Sequence, residues 1–452
     1  MAEDVDVVVV GLGVGGEEVA GRLAEAGLSV VGIEHRLVGG ECPYWGCVPS
    51  KMMIRAANLL AEARRVPGLA GLSTVEPDWT PVAKRIRAEA TDDWDDKVAV
   101  DRFTGKGGRF VRGFGRLVGP GRVEVDDQSF HATRAVVIGT GTAPVVPPIE
   151  GLAGTPYWTN REAIEVEELP DSLIVLGGGA IGLELAQVFA RFGVAVSVVE
   201  ALDRLLAIEE PEASKLAATA FARDEIAVRT GAKAARVEHD GQQFTLTLEG
   251  GQRLVAQKLL VSTGRRAELG DLNLPSVGLD EKARFLGVDE WLRAGERLWG
   301  VGDVTGHGAF THVAMYQADI VVRDILGQGG PAADYRALPR VTFTDPEIGA
   351  VGLTEEQARA RGLAVRTGYT DLASSARGWI HKAGNEGFIK LVADADREVL
   401  VGATSAGPAG GEVLGALTVA VHAEVPLATL RSMMYAYPTF HRAIEAALQD
   451  LG

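Results

Sequence analysis

Cysteine is nearly absent: the chain of 452 residues holds two, Cys42 and Cys47. That excludes a disulfide-stapled scaffold. Two cysteines with four residues between them enclose too short a loop to restrain the unfolded chain much. No histidine cluster stands near them to complete a zinc ligand set, and no metal site is expected. Long apolar runs are also missing, and none reaches the ~18 residues that a bilayer-spanning helix needs. Basic residues are outnumbered, 45 against 61 acidic, for a net charge of −16. A nucleic acid or an anionic membrane surface is therefore not an expected partner, because both are bound by a basic face. The chain opens on Met1-Ala-Glu-Asp rather than on a basic segment followed by a long apolar one. A secretory leader is not read there, and a cytoplasmic protein is the expectation.

What remains has the balance of an ordinary globular protein: 46% hydrophobic and 23% charged. At ~150 residues per domain the length suggests three domains. Glycine is the one surplus, 57 of 452, against a typical ~7%. It lacks a three-residue period, so it marks tight turns and close backbone approaches rather than a collagen-like repeat.

Part of that surplus belongs to a duplication. Gly11-Leu-Gly-Val-Gly-Gly continues to Glu34, and Gly177-Gly-Gly-Ala-Ile-Gly continues to Glu200. Nine of the 24 aligned positions are identical, and both copies place the acid 23 residues after the first glycine. Each copy follows an apolar run, crosses a helix-like stretch to a glycine (Gly27, Gly193) and re-enters an apolar run before the acid. This is the strand–Gly-x-Gly-x-x-Gly–helix–strand–acid pattern of dinucleotide binding. The first glycine allows the tight turn, the second lets backbone approach a pyrophosphate, and the third lets helix and strand pack. The helix start favours phosphate charge, and the acid accepts ribose hydroxyls. Two copies imply two dinucleotides, such as FAD at Gly11, Gly13, Gly16 and Glu34, and a nicotinamide cofactor at Gly177, Gly179, Gly182 and Glu200. A carboxylate at position 200 repels the extra phosphate of NADP, so NAD(H) is favoured, with Arg204 close enough to keep NADP(H) in view.

Directly after the first copy comes Gly39-Gly-Glu-Cys42-Pro-Tyr-Trp-Gly-Cys47-Val-Pro-Ser-Lys51. Apolar residues then recur at helical spacing from Met52 to Arg65. The cysteines thus fall where a helix begins, and its positive end favours thiolate. Such a pair can close as a disulfide and reopen by exchange. Tyr44 and Trp45 between them either contact substrate or simply pack.

This stretch resembles the signature Gly-Gly-x-Cys-x4-Cys-x-Pro-Ser-Lys of the pyridine nucleotide-disulfide oxidoreductases, on their dihydrolipoamide dehydrogenase and mercuric reductase side. The resemblance extends over nearly the whole chain. It includes Val137-Ile-Gly-Thr-Gly141-Thr-Ala-Pro144, which is similar to the segment closing the first FAD lobe. Ser262-Thr-Gly264-Arg-Arg266 looks like the end of the nicotinamide domain, and Trp299-Gly-Val-Gly-Asp303 like the second FAD motif. Val341-Thr-Phe-Thr-Asp-Pro-Glu347 through Glu355 looks like the start of the dimerisation domain. The resemblance implies that Cys42 meets the substrate and that Cys47 lies beside the flavin in a charge-transfer contact. It implies that Lys51, paired with Glu184, lies near the reactive flavin edge, and that Asp303 holds the ribityl chain. Gly141 and His312 would border FAD, and Gly264 the nicotinamide cofactor. His312 stands in Phe310-Thr-His-Val-Ala314, where the family pattern reads Leu-Ala-His-x-Ala; a structural role is expected of it.

The C-terminus departs from the pattern. Family members that act on dithiols carry His-x-His-Pro-Thr-x-x-Glu, whose second histidine reaches the partner subunit's site as acid–base. Here the segment reads Tyr435-Ala-Tyr437-Pro-Thr-Phe-His441-Arg442-Ala-Ile-Glu445. Tyr437 replaces the histidine and Arg442 the glutamate, and a phenol of pKa ~10 is a poor base at neutral pH. Lipoamide is thus not the expected substrate. Mercuric reductases also carry the tyrosine, but with a further cysteine pair that this sequence lacks. If Pro438 starts a helix, His441 and Glu445 share a face; they form a displaced dyad, or Tyr437 and His441 jointly contact substrate, or His441 and Glu445 are a surface pair.

The expected fold is α/β: two Rossmann-like dinucleotide-binding domains plus a C-terminal α+β dimerisation domain. The segments would be an FAD lobe (1–150), a nicotinamide domain (151–270), a central segment completing the FAD site (271–338) and an interface domain (339–452). A homodimer with shared active sites follows from the resemblance. The leading reading is an NADH-linked flavoprotein exchanging electrons with a small-molecule disulfide or dithiol. Two others stay open: a reductase of a quinone, metal ion or other non-disulfide acceptor, and a flavin redox sensor without turnover.

Overall fold

A computed structural model describes residues 2–267 and 269–452. The chain gathers into two compact units, each assembled from three separated stretches. The first comprises Met1–Pro49, Lys84–Val145 and Gly264–Asp334; the second comprises Ser50–Ala83, Val146–Thr263 and Tyr335–Gly452.

In the first unit the run Val7–Val10 is wholly buried, as a strand covered on both faces must be. It lies in the strand Glu3–Val10, at the middle of a mainly parallel sheet. Val30–Glu34 and then Arg109–Arg112 follow on one side, and Gln128–Ile138 and then Leu298–Gly300 on the other. Arg293–Gly295 pairs antiparallel at the edge, and the hairpin Arg116–Gly119/Arg122–Val125 adds to Gln128–Ile138. The helix Val14–Glu25 packs Val19, Ala20 and Leu23 on one face of the sheet.

The second unit contains the other copy. Ser172–Leu176 and Ala195–Val199 sit at the centre of a four-stranded parallel sheet flanked by Ala227–Arg229 and Lys258–Val261. A three-stranded antiparallel sheet, Ala234–His239, Phe244–Leu248 and Arg253–Ala256, shares a core with it through Ile174, Val199, Phe244 and Leu246. The C-terminal part is a five-stranded antiparallel sheet covered by the helices Gly410–His422 and Ala443–Asp450. Leu414, Leu417 and Leu448 from these helices meet Ile389 and Leu391 of the sheet.

One local expectation is corrected. Pro438 does not start a helix: it follows a cis bond from Tyr437, and the last helix begins at Ala443. His441 therefore lies before the helix, and its helical spacing to Glu445 is lost.

Candidate active site

Both glycine loops sit at the carboxyl ends of parallel strands, where doubly wound sheets bind ligands. Gly11 and Gly177 have φ of +90° and +114°, a region costly for other residues. A Cβ on Gly16 would stand 2.0 Å from Gly11 O, and one on Gly182 2.4 Å from Gly177 O. These four glycines are demanded by the protein itself. Gly13 and Gly179 are not: a Cβ there would meet nothing nearer than 3.9 Å at Gly13 and nothing within 4 Å at Gly179. Each is the N-cap of its helix, Val14–Glu25 or Ala180–Arg191, and neither helix has a side-chain cap. Open space thus lies in front of uncapped N–H groups.

The two acids close their loops in the same way. Glu34 Oε2 accepts from Leu12 N (2.9 Å) and Oε1 from Arg36 N (2.8 Å). Glu200 Oε2 accepts from Gly178 N (2.6 Å) and Oε1 from Leu202 N (2.7 Å). Arg204 is engaged elsewhere: its guanidinium donates to Leu206 O, Ala207 O, Glu209 O and Ser214 Oγ.

Cys42 lies half-buried in the short helix Glu41–Tyr44, and Cys47 is the exposed first residue of the helix Cys47–Arg65. A hydrogen bond with Cys47, together with burial, pushes the Cys42 thiol well above its usual range. Cys47 Sγ lies 3.4 Å from Thr311 Oγ1. Cys42 also lines a cavity of about 320 Å³ with Met315, Phe103, the Glu17–Arg102 ion pair (2.5 Å) and Lys106. Tyr44 packs, at 6% exposure, and burial pushes its phenol up to about 12. Lys51 Nζ lies 2.8 Å from Glu184 Oε2, whose Oε1 accepts from Phe343 N (2.8 Å), and the Phe343 ring centre is 4.7 Å from the ammonium. Glu184 itself is buried.

Asp303 is the second residue of the helical turn Gly302–Thr305 that follows the strand Leu298–Gly300, and it accepts from Thr142 Oγ1 at 3.0 Å. Burial raises its carboxyl against the pull of Arg265. Arg265 in turn donates to Thr142 Oγ1 (2.9 Å) and Thr142 O (2.7 Å). Gly141 and Gly264 have φ of +69° and +113° with nothing within 4 Å of a would-be Cβ. His312 is exposed and stacks on Phe310, ring centres 5.1 Å apart.

At the C-terminus the displaced dyad does not form within the chain. Glu445 Oε2 pairs with Arg442 at 2.9 Å, and His441 Nε2 turns to Thr439 Oγ1 at 3.5 Å. A guanidinium three residues away offers the carboxylate a charge-assisted partner, and Arg442 takes it. Tyr437 is 70% exposed, with the Arg442 guanidinium 5.6 Å from its ring centre.

Residues 5–318 match the family model described as pyridine nucleotide-disulphide oxidoreductase, and 338–448 match that family's dimerisation domain. The chain belongs to this family. A mercuric reductase of Streptomyces lividans is 34% identical over 98% of this chain and 95% of its own length. A dihydrolipoyl dehydrogenase of Thermus scotoductus is 32% identical over 99% and 97%. Among solved structures, a Cu(II) complex of the HOCl-induced flavoprotein disulfide reductase RclA of Escherichia coli superposes with a TM-score of 0.87, at 25% identity and 99% coverage of both chains. LpdA of Mycobacterium tuberculosis gives 0.86 at 26% identity, with 99% of both chains covered. The fold is that of the flavoprotein disulfide reductases, and the protein is an FAD- and pyridine nucleotide-dependent oxidoreductase of the type that acts on sulfur groups.

The residues present fit both dinucleotides. The open space at Gly13 and Gly179, before uncapped helix starts, is where a pyrophosphate has to approach backbone. This separates the glycines experimentally. Gly16→Ala is expected to fail at folding, because its Cβ collides with the backbone oxygen of Gly11. Gly13→Ala is expected to fold with wild-type far-UV circular dichroism and to bind FAD at least tenfold more weakly, as followed by flavin fluorescence. Wild-type FAD affinity in Gly13→Ala would contradict this account. Among side chains the sequence reading passed over, Thr311 stands out. Its only sequence signal was a hydroxyl residue where the family pattern has alanine.

Proposed function

We propose that the protein is an NADH-linked, FAD-dependent reductase of a small disulfide, or dehydrogenase of the corresponding dithiol, working as a homodimer in the cytoplasm. The observation that carries the reading is the cysteine pair. Cys42 is hydrogen-bonded to Cys47, which together with burial holds its thiol above the usual range, and it lines a cavity of small-molecule size, while Cys47 begins a long helix. In the direction of reduction, the Cys42 sulfur attacks one sulfur of RSSR. A Cys42–S–S–R bond forms, the substrate S–S bond breaks, and the first half leaves as RSH, taking the proton that Cys42 gives up. The Cys47 thiolate then attacks the Cys42 sulfur, closes the Cys42–Cys47 disulfide and expels the second RS⁻. Two electrons leave the pair in two product thiols.

FAD, when bound, supplies two-electron exchange between the nicotinamide and this pair. Gly11, Gly13, Gly16, Glu34, Gly141 and Asp303 would hold it, with His312 at its border. Gly177, Gly179, Gly182, Glu200 and Gly264 would hold the nicotinamide cofactor. Glu184 holds Lys51 in place, and a fixed ammonium there would stabilise negative charge on a neighbouring group. NADH is favoured because Glu200 is aligned by two backbone amides, while Arg204 is occupied by carbonyls and Ser214. The four-segment division at about residues 150, 270 and 338 is part of the same proposal.

The absent His–Glu pair favours a second reading, in which electrons pass to a metal ion, a quinone or another non-disulfide acceptor. Relatives named mercuric reductase and the solved Cu(II) complex of RclA are in keeping with it.

Anaerobic titration with NADH, and in parallel NADPH, separates the readings. A long-wavelength thiolate-to-flavin band, reached at lower NADH than NADPH, is the expected result. Flavin bleaching with no such band would count against disulfide exchange and turn attention to quinones and metal ions.

A further inference from the structure

We propose that Thr311 is a catalytic residue of the thiol centre, its hydroxyl donating a hydrogen bond to whichever cysteine sulfur carries negative charge. The inference rests on the reading of Cys42 and Cys47 as the exchanging pair. The carrying observation is geometric: Thr311 Oγ1 lies 3.4 Å from Cys47 Sγ, across 264 residues of sequence. Thr311 is the first residue of the 15-residue helix Thr311–Ile325, whose N-cap, Phe310, offers no side-chain cap. Cys47 is the first residue of the 19-residue helix Cys47–Arg65. Two helix starts, both positive, therefore meet at one sulfur. Thr311 adds a directed donor, which a helix end by itself does not supply. The same hydroxyl acts on the other sulfur, lowering the Cys42 thiol against burial and the Cys47 bond.

The position has a chemical rationale. Thiol exchange needs the charge on a departing or attacking sulfur to be stabilised. The pattern this sequence resembles supplies an imidazole and a carboxylate for this, and has alanine at position 311. Here the imidazole's position holds Tyr437, Glu445 is paired with Arg442, and position 311 holds a hydroxyl. A rotatable O–H within reach of both sulfurs can follow the charge from Cys47 to Cys42 without a change in its own protonation.

Other charges near the pair are the Glu41–Arg265 and Glu17–Arg102 pairs, Glu18 and Lys106 in the cavity wall, His312 beside Thr311, and Lys51 one helical turn beyond Cys47. Substitution of Thr311 leaves all of them in place, so a shift in thiol ionisation reports on the hydroxyl.

The test uses holoenzyme reduced anaerobically with NADH. Aliquots across a pH series are alkylated with iodoacetamide, and Cys42 and Cys47 are followed separately by peptide mass spectrometry. Thr311→Val should move the alkylation midpoint of the more reactive cysteine up by about one pH unit, a tenfold slower rate below the midpoint. Thr311→Ser should restore the wild-type profile. Thr311→Ala, which adds no bulk at the helix start, should repeat the valine shift, and flavin absorbance checks that each variant keeps its FAD. Superimposable wild-type and valine profiles, or a serine variant as shifted as valine, would overturn the proposal. The exchange reading itself fails by a different result, disulfide turnover that survives Cys42→Ser.

Discussion

Cys42→Ser and Cys47→Ser are each expected to lose disulfide reduction by a factor on the order of 10³ or more, while NADH still bleaches the bound flavin. Serine is close to isosteric, but its alkoxide is not populated at neutral pH, so the half of the exchange that the replaced cysteine carries cannot run. The two variants should fail differently. Without Cys47, the Cys42 mixed disulfide has no resolving thiol, and stoichiometric trapping of a substrate half on Cys42 should be visible by mass spectrometry. Without Cys42, Cys47 stays at its helix start with Thr311 beside it, and its thiolate-to-flavin absorbance should persist without titration by disulfides. Steady-state reduction of a disulfide panel checks the first point. Activity within tenfold of wild type in either variant would remove the pair from the mechanism and leave the metal or quinone reading in front.

Arg191→Met is expected to cost about 3 kcal/mol of unfolding free energy at neutral pH, by removing one partner from a buried ionic node. Arg191 is 3% exposed and closes the helix Ala180–Arg191 of the second glycine loop. Its guanidinium reaches Asp224 (3.0 Å), Asp345 (2.7 Å) and Asn58 (2.6 Å), and Asp345 also takes Arg65 (2.6 Å). Methionine keeps the packing of the stem but leaves Asp224 without this guanidinium and Asp345 with one guanidinium instead of two. Burial pushes the Asp345 carboxyl up, yet Arg191 and Arg65 outweigh it and hold it below the usual carboxylate range. A carboxylate depressed in the folded state contributes stability that is fully present above its unfolded pKa of ~3.9 and fades as pH falls through the folded value. The deficit should therefore be flat from pH 8 to about pH 5 and narrow below ~4, where protonation removes the charge that lost its partner. Urea unfolding at fixed protein and FAD concentration measures it. A deficit under about 1 kcal/mol, or one that widens in acid, would contradict this account.

Some of the site was legible because its determinants are local. Gly11 and Gly177 must take positive φ, Gly16 and Gly182 must lack a Cβ, and Glu34 and Glu200 must follow at one fixed interval, all within 24 residues. The alternation of apolar runs with helical stretches was enough to expect paired α/β lobes, since a parallel strand buried on both faces reads as a continuous Val-rich run. The cysteine spacing pointed to redox chemistry for the same reason: both sulfurs belong to one turn and one helix start.

Other features depended on residues that only folding brings together. His441 and Glu445 looked suited to each other by spacing, but the helix starts two residues after His441 and Glu445 pairs with Arg442 instead. Tyr44, placed between the cysteines, turned inward to pack. Thr311 carried no signal beyond one departure from a resembled pattern, because its partner is 264 residues away. Arg191, an ordinary helix-end arginine in sequence, meets Asp345 across 154 residues. The physical division is one of range. Backbone conformation, turn chemistry and strand or helix periodicity are set within one or two turns, so the sequence by itself determined the two glycine-loop α/β units and placed both cysteines at a helix start. Which donor reaches which sulfur or carboxylate is a competition among side chains from distant segments, and packing in the tertiary structure decided it.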